Sequence, residues 1–516
     1  MKAIKQVSLI FILFIIITFA ILWALTKTVT PNMVKDMMSE RLNLLTHEQS
    51  HIEGNVSWYL FPRPGIKVTN VHVGDKNPLS PYSLQIDKLL FHLQITPLLR
   101  GHLVFNELNI DGFKINVIPS SLHSKDIKLA PVIEKNRTKN ELLDHFALEH
   151  LLLTHGEMTL IDPQRKIILS KLQIGANQVN MNQHAFPIQL KTTLTLITAQ
   201  NKMKTSVNYK GKIQLSNLSL NEPLFVLQKA IMEGQLQLQN VRFNQFKMTR
   251  IIANLQKNRD ELTLNPMNIL LYSGESVGNL SYQFDSKKLF INQTASHLIA
   301  AQLSKDLFDK PLVKGSLDFT LHATTQFSEG EWLNHLSGNG YLTMRDGILY
   351  DIDLNKLMNE TQLAIHSLLT QEKKIIQLAL QKPLFDKTLY QNGNTPFELL
   401  NIQYHLDEAK IISDSLLFQT DHLQIKGHGS IHLNTLTQDL KLFAKMRQNS
   451  SFDIIQKLFG GTFPITVTGT LDNPIVSPNN KELEPIILGY VLKNTVEKPV
   501  KEVKQELQNI FSYKTE

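Results

Sequence analysis

The sequence predicts a mainly β protein that begins with one transmembrane helix, and three observations support this fold class. Residues 7–25 form a long apolar run without a charge. After residue 50, many short segments alternate apolar and polar residues with a period of two, as half-buried strands do. The turn-forming pairs Asp111-Gly112, Asp346-Gly347 and Asn392-Gly393 punctuate these segments. We expect the strands to be antiparallel, each with one apolar and one solvated face.

The composition excludes several classes of protein. The chain has 516 residues, of which 42% are hydrophobic and 19% charged, so it is neither a disordered polyelectrolyte nor a polytopic membrane protein. It has no cysteine, which excludes disulfides, thiolate zinc sites, iron–sulfur clusters and cysteine catalysis. The net charge is +7 and the basic residues are scattered, whereas a nucleic-acid binder concentrates them. We therefore expect no nucleic acid among the partners.

The apolar run from Val7 to Leu25 predicts a membrane anchor. At about 1.5 Å per residue, a helix of 19 residues just crosses a hydrocarbon core of about 30 Å. The following residues, Thr26-Lys27-Thr28, make a poor cleavage site, so we expect the helix to be retained. The short tail before it favours a cytoplasmic N-terminus. This predicts a single-pass protein of a bacterial inner membrane, with the bulk of the chain in the periplasm.

Helical spacing of apolar residues recurs outside the anchor. Residues 31–45 predict a short juxtamembrane helix, and residues 352–369 predict a helix inserted among the strands. Apolar residues at helical spacing in the C-terminal tail, from 496 to 511, predict an amphipathic helix. This helix either docks on the end of the sheet or lies on a membrane or a partner.

The alternating segments leave the packing of the sheet open. Alternation is clear at residues 91–95, 316–322, 423–433 and 465–471, and residues 188–197, 211–220 and 234–243 behave similarly. Two sheets packed face to face would hide the apolar faces, whereas one long sheet could curl into a trough with an apolar inner wall. Alternation is compatible with both arrangements.

Eight short motifs occur in a fixed order over more than 400 positions. They are Glu53–Ile66, Val71–Gly74, Leu148–Asp162, Leu271–Glu275, Leu336–Leu354, Thr395–Phe397, Lys426–Leu433 and Gly469–Pro474. In this order they resemble the AsmA-like family of inner-membrane-anchored periplasmic proteins, which are related to bridge-like lipid transfer proteins. Two positions depart from the family pattern, because Asp351 and Ser273 stand at turns where the family often has glycine.

The resemblance implies a fold and a role. The fold is an elongated, curled antiparallel β-sheet whose concave face is a hydrophobic groove, with a few helices that include a C-terminal one. The role is support of phospholipid transport between the inner and outer membranes, and so of outer-membrane integrity. The implied partners are phospholipid acyl chains, the inner membrane through residues 7–25, and outer-membrane or other envelope proteins. The family pattern supplies no catalytic residue, metal or cofactor, so we expect a protein that is not an enzyme.

We divide the chain into five segments on this basis. Residues 1–26 are the anchor, and 27–145 are the juxtamembrane helix with an N-terminal AsmA-like β segment. Residues 146–310 are a central β segment, and 311–479 are a C-terminal AsmA-like β segment with helices inserted at 352–384. Residues 480–516 are the C-terminal amphipathic helix.

The candidate groove residues are the inward-facing apolar residues of the C-terminal β segment. For each of them, ordinary core packing is the competing interpretation. The ten candidates are Leu317, Phe319, Leu321, Leu423, Ile425, Ile431, Leu433, Ile465, Val467 and Leu471.

Two other functions stay open at this stage. The first is a non-enzymatic module that assists outer-membrane protein assembly and binds a protein through an exposed strand edge. The second is a zinc metalloprotease, because His47-Glu48-Gln49-Ser50-His51 matches the H-E-x-x-H motif. That chemistry needs both histidines on one helix face and a third ligand, and the glycine and strand pattern that begin at Gly54 leave little room for a helix.

Overall fold

The structure, a computed structural model, is mainly β. It describes residues 31–46, 48–59, 64–74, 80, 82–94, 105–117, 147–180, 183–199, 201–215, 229–326, 332–369, 393–447, 458–460 and 462–493. The anchor expected at residues 7–25, residues 370–384 of the expected insertion and the tail beyond residue 493 lie outside this set. Within these ranges, no helix is both long and apolar enough to cross a membrane.

The chain forms two compact units, Met1–Ile269 and Leu270–Glu516. The boundary falls inside strand β12, and the five-segment division remains a prediction. The strands up to this boundary are β1 (Ser50–Ile52), β2 (Val56–Tyr59), β3 (Gly65–Val73), β4 (Tyr82–Leu93), β5 (Phe105–Val117), β6 (Ala147–Ile161), β7 (Arg165–Asn180), β8 (Phe186–Thr198), β9 (Lys202–Gln214), β10 (Ile231–Phe243), β11 (Phe246–Lys257) and β12 (Glu261–Leu271).

The second unit contains the remaining strands that the structure describes. They are β13 (Gly274–Gln283), β14 (Lys288–Ile299), β15 (Val313–Gln326), β16 (Ser337–Leu349), β17 (Thr395–Asp407), β18 (Lys410–Gln419), β19 (Leu423–His432), β20 (Gln438–Met446), β21 (Thr462–Thr470) and β22 (Asn473–Pro478).

Few helices accompany the strands. Helix α1 (Pro31–Thr46) occupies the stretch where a juxtamembrane helix is expected, and α2 (Ala300–Phe308) follows β14 directly. Helix α3 (Leu354–Leu369) lies between β16 and β17, and residues 480–493 form α4 after β22. A single turn of 3₁₀ helix, Trp332–His335, precedes β16.

Neighbouring strands in the sequence pair with each other. In the first unit, β1 and β2 both pair with β3, and the pairing continues in order from β3 to β11. In the second unit it continues from β13 to β22. The expectation of an antiparallel sheet holds for every described pairing except β5 with β6, which is parallel. Residues 118–146 separate these two strands, and a connection of a dozen or more residues is what a parallel pair requires.

The alternation of apolar and polar residues shifts by one residue in the middle of many strands. In β3, Val68 and Val71 are both buried, although strict alternation would put them on opposite faces. In β4, Ile86 and Leu89 repeat this spacing. From β3 to β6 the two residues at the shift lie opposite each other on adjacent strands, at Thr69-Asn70, Asp87-Lys88, Asp111-Gly112 and Thr154-His155. In β7 the shift falls at Ser170-Lys171, opposite Glu157 and beyond Gly156, and the β6–β7 register shifts accordingly.

Left-handed backbone conformations accommodate this shift. Asn70, Gly112, His155 and Lys171 have φ between 50° and 70°. The alternation changes phase by one residue at each irregularity. Because of this change, the apolar side chains lie on the same face of the sheet before and after it. Irregularities of this kind also bend a strand. The second unit repeats the spacing, with buried apolar residues at Ala295 and Leu298 of β14 and a shift in register between them.

Two of the predicted turns were wrong. Asp111-Gly112 lies inside β5 and Asp346-Gly347 lies inside β16, whereas Asn392 lies outside the described residues. An Asp-Gly pair favours positive φ, which occurs in turns and also at irregularities within a strand. Here the pairs lie at mid-strand irregularities, with φ of 70° at Gly112 and 48° at Asp346.

The two departures from the family pattern also adopt positive φ. Asp351 has φ of 62° and Ser273 has φ of 64°. Glycine adopts this conformation without strain, which explains why a glycine is common at both turns.

Aromatic rings lie over glycines on the apolar face. Phe113 is buried, and its strand partner in β6 is Gly156. A Cβ atom at Gly156 would collide with the ring of Phe113, so only glycine leaves room for it. The same arrangement joins Phe397 and Gly347 in the second unit.

We predict that Gly156→Ala destabilises the protein by about 1–3 kcal/mol, because the added methyl group displaces the Phe113 ring. Gly175→Ala on β7 is the matched control, since a Cβ atom there meets nothing within 4 Å. We expect it to change stability by less than about 1 kcal/mol. Thermal unfolding of the full chain compares the two, and equal effects would mean that the ring does not need the glycine.

Candidate functional site

The second unit carries a row of apolar side chains that runs straight across its strands. Each member is the strand partner of the next, from β14 to β21. All of them are apolar, and all except Leu400 are buried. The members of this row, which we call the covered row, are Leu298, Leu317, Met344, Leu400, Phe418, Ile425, Ala444 and Phe463.

Helices cover this row. Helix α3 contributes five buried apolar side chains at helical spacing to the same cluster, namely Leu354, Leu357, Met358, Ile365 and Leu368. Helix α4 adds Leu483 and Ile487, and α2 adds Ala300. This end of the apolar face is therefore a closed core.

Hydrogen bonds hold the start of α3 on β17. Thr395, the first residue of β17, donates its hydroxyl to the carbonyl of Ile352 (2.7 Å) and accepts from the amide of Leu354 (3.0 Å). Asp353 accepts the amide of Lys356 through Oδ1 (2.8 Å), as a helix N-cap does. Thr395 belongs to the Thr395–Phe397 motif, so this motif serves to dock the helix.

The next row along the same face is only partly covered. It consists of Ala295, Phe319, Leu342, Ile402, Leu416, Gly427, Leu442 and Ile465, again strand partner to strand partner. Its two end members are buried, and the six between them are half-buried. We call it the half-open row. Seven strand spacings of about 4.8 Å give it a length of about 34 Å.

A third row lies beyond the half-open row and mixes apolar residues with glycine and polar groups. Tyr404 lies over Gly340 here, and its hydroxyl donates to the carbonyl of Thr320 (2.8 Å). Burial raises the pKa of this hydroxyl above its ordinary value. The row consists of Gln293, Leu321, Gly340, Tyr404, Ser413, Gly429, Leu440 and Val467.

The ten predicted groove residues divide between these environments. Leu317, Leu423, Ile425, Ile465 and Val467 are buried in the cluster that the helices share. Phe319 is half-buried against that cluster. The other four are half-buried, namely Leu321, Ile431, Leu433 and Leu471. Contact of any of the ten with lipid stays a prediction.

The first unit has an apolar face of the same kind, which the sequence did not single out. One row crosses nine strands, from β3 to β11, as strand partners. Helix α1 packs Met38 and Leu42 against the cluster at the β3 end. Ile110, Leu153, Ile174, Leu190 and Leu236 remain half-buried. The complete row is Val68, Leu89, Ile110, Leu153, Ile174, Leu190, Tyr209, Leu236 and Ala253.

Tyr209 is the polar member of this row. Its hydroxyl lies 3.0 Å from the carbonyl oxygens of both Lys212 and Glu233. Burial, with a smaller contribution from the Glu233 carboxylate, raises the pKa of this hydroxyl to about 12. The group is therefore neutral at any physiological pH, and the row carries no charge.

The zinc-site spacing does not place its residues on one helix. Helix α1 ends at Thr46, and His51 lies in strand β1. There the His51 ring stacks on His72 with 4.9 Å between centroids, and its Nε2 lies 3.3 Å from the Glu53 carboxylate. His47 lies outside the described residues. Among the residues that the structure describes, no group of three His, Asp or Glu side chains could hold a metal ion.

Comparison with known proteins gives one match. A model of the AsmA family matches the chain over residues 1–225 and 178–407. No curated protein and no solved structure matches the chain. The matched residues include the whole first-unit row and α3, whereas the motifs at Lys426–Leu433 and Gly469–Pro474 and half of the covered row lie beyond residue 407.

We predict that Ile365→Ala destabilises the second unit by about 2–5 kcal/mol, because it leaves a cavity between α3 and the covered row. Leu363→Ala on the same helix is the matched control. Leu363 is 65% exposed, whereas Ile365 is fully buried. We expect the control to stay within about 0.5 kcal/mol of the parent. Calorimetric unfolding of the full chain measures both, and similar losses would mean that α3 does not cover the row.

Proposed function

The chain belongs to the AsmA family, and from this premise we propose that it is a non-enzymatic, lipid-handling protein of the bacterial envelope. Anchored in the inner membrane by residues 7–25, it supports the movement of phospholipid between the inner and outer membranes. The single observation that carries this proposal is the half-open row, an uncharged apolar strip about 34 Å long that is not fully covered.

The energetics of acyl chains support this role. Each methylene group removed from water gains about 0.8 kcal/mol, and burial requires no particular shape of partner. A strip of half-buried Leu, Ile and Phe side chains offers this gain to an acyl chain. The covered row offers nothing, because α3 and α4 already occupy it.

The opposite faces of the same strands suit an aqueous compartment. On β15, Asp318 and His322 alternate with Phe319 and Leu321, and on β19, Lys426 and His428 alternate with Ile425 and Gly427. One wet face and one apolar face let a sheet stay in solution while its other face holds lipid.

A protein-assembly module that pairs through a strand edge has less support. Strand β22 is the last in the pairing order of the second unit, and it contains Pro474 and Pro478. Proline has no amide hydrogen, so this edge has fewer donors to offer to an added strand.

Site-specific photocrosslinking in cells tests the proposal. A benzophenone amino acid replaces Ile402 or Leu442 of the half-open row, or Leu321 of the adjoining third row, in the full chain, and adducts are identified by mass spectrometry. The matched controls replace the exposed residues His322, Asn401 and Lys441, which lie beside them on the same strands but face the other way.

We expect phospholipid adducts at the three apolar positions, at least about tenfold above the controls, because acyl chains lie only on the apolar face. Equal adducts on both faces, or none at the apolar positions, would overturn the lipid proposal. Adducts with an envelope protein at these positions would favour the assembly module instead.

A further inference from the structure

The polar face of β8 to β11 is strongly basic. These four strands contain a single acidic residue, Glu233. Eight basic side chains are exposed on the face that lies opposite the first-unit row, namely Lys191, Lys202, Lys204, Lys210, Lys212, Arg242, Lys247 and Arg250. They look scattered along the sequence, but strand pairing collects them. We call this surface the basic face.

Its centre places like charges directly opposite each other. Arg242 of β10 is the strand partner of both Lys204 on β9 and Lys247 on β11. Like charges directly opposite each other across a sheet are destabilising. Within the described residues, no salt bridge joins Lys204 or Arg242 to an acidic side chain. Two like charges held opposite each other at Lys204 and Arg242 oppose stability, and a local cost of this kind is typical of a functional surface.

The other side chains of the basic face indicate what kind of partner it fits. Between the charges lie uncharged polar residues such as Gln235, Gln237 and Asn208. The aromatic residues of these strands, such as Tyr209 and Phe243, belong to the opposite, apolar face. Protein interfaces depend on buried aromatic anchors, which this face lacks in β8 to β11. An anionic bilayer needs only exposed basic side chains, because its phosphates are mobile and adapt to their positions.

We propose that the basic face of β8 to β11 docks on the surface of an anionic phospholipid bilayer. This proposal does not rest on the lipid-handling function, because it uses the opposite face of the strands and electrostatic attraction instead of apolar burial. Acyl-chain binding and bilayer docking can therefore fail separately.

Vesicle tethering tests the proposal with the full chain. The chain is reconstituted in phosphatidylcholine liposomes, and labelled vesicles with 30% phosphatidylglycerol are added and recovered by flotation. The test variant is Lys204→Gln/Arg242→Gln/Lys247→Gln. The matched control is Lys426→Gln/Lys441→Gln/Lys445→Gln, which removes the same charge from exposed positions of the second unit.

We expect the parent and the control to tether anionic vesicles, and the test variant to tether them at least about tenfold less, because each basic residue adds to the attraction. Raising the salt concentration should release the vesicles, and neutral vesicles should not bind. The double variant Lys204→Gln/Arg242→Gln should melt no lower than the parent, since it removes a pair of like charges that lie opposite each other.

Three results would overturn the proposal. They are equal loss in the control, equal tethering of neutral vesicles, and no tethering by the parent. If the parent ignores vesicles but binds polyglutamate through the same three residues, the partner is an acidic protein and not a bilayer.

Discussion

Everything in this fold depends on one constraint, which is that the apolar side chains must stay on one face where the strand is interrupted. The shift of one residue, from Val68 to Val71 in β3 and from Ala295 to Leu298 in β14, satisfies it. Without the shift, the second half of each strand would point its apolar side chains into water, because the side-chain period is exactly two. Strands β3 to β6 shift at the same place, whereas β8, β9 and β15 alternate without a break and a register shift in the pairing absorbs the difference. In both cases the apolar residues of neighbouring strands stay paired and form unbroken rows. The rows are therefore a property of the register, and no single side chain creates them.

The same constraint separates stability from binding. In the second unit, α3 and α4 bury the covered row and leave the half-open row partly exposed. The buried cluster supplies the hydrophobic stabilisation of the unit, and this stabilisation does not depend on a ligand. Glycine at positions such as Gly156 and Gly347 lets aromatic rings lie close to the sheet. The face thus keeps a smooth apolar surface with its polar groups, such as the hydroxyl of Tyr209, bonded to the backbone.

The sequence predicts local features of this protein well and long-range ones poorly. Period-two alternation predicted the strands of β15, β19 and β21, and the spacing from Leu354 to Leu369 predicted α3, because both patterns reflect burial of one face. Asp111-Gly112 was misread as a turn, since an Asp-Gly pair favours positive φ in either setting. The useful signal was the spacing apolar-x-x-apolar between two alternating runs, as at Ile110 and Phe113. The parallel pairing of β5 with β6, the cover over Leu317 and Ile425, and the alignment of Lys204 with Arg242 depend on register and docking. No pattern within one segment contains that information.

If the half-open row holds an acyl chain, as we propose, closure of one end by α3 decides where that chain can lie. Two kinds of contact hold helix α3 in place. The hydroxyl of Thr395 makes hydrogen bonds at its first turn, and five apolar side chains are buried along its length. Each such side chain contributes about 1.5–3 kcal/mol of burial, so displacing the whole helix costs on the order of 10 kcal/mol. An acyl chain gains more free energy by binding at the half-open row, because no helix has to be displaced there first. An acyl chain that follows this row crosses the strands and does not run along them. The path of such an acyl chain is set by strand pairing. A row that continues from strand to strand lets the acyl chain move across the sheet without leaving the apolar surface.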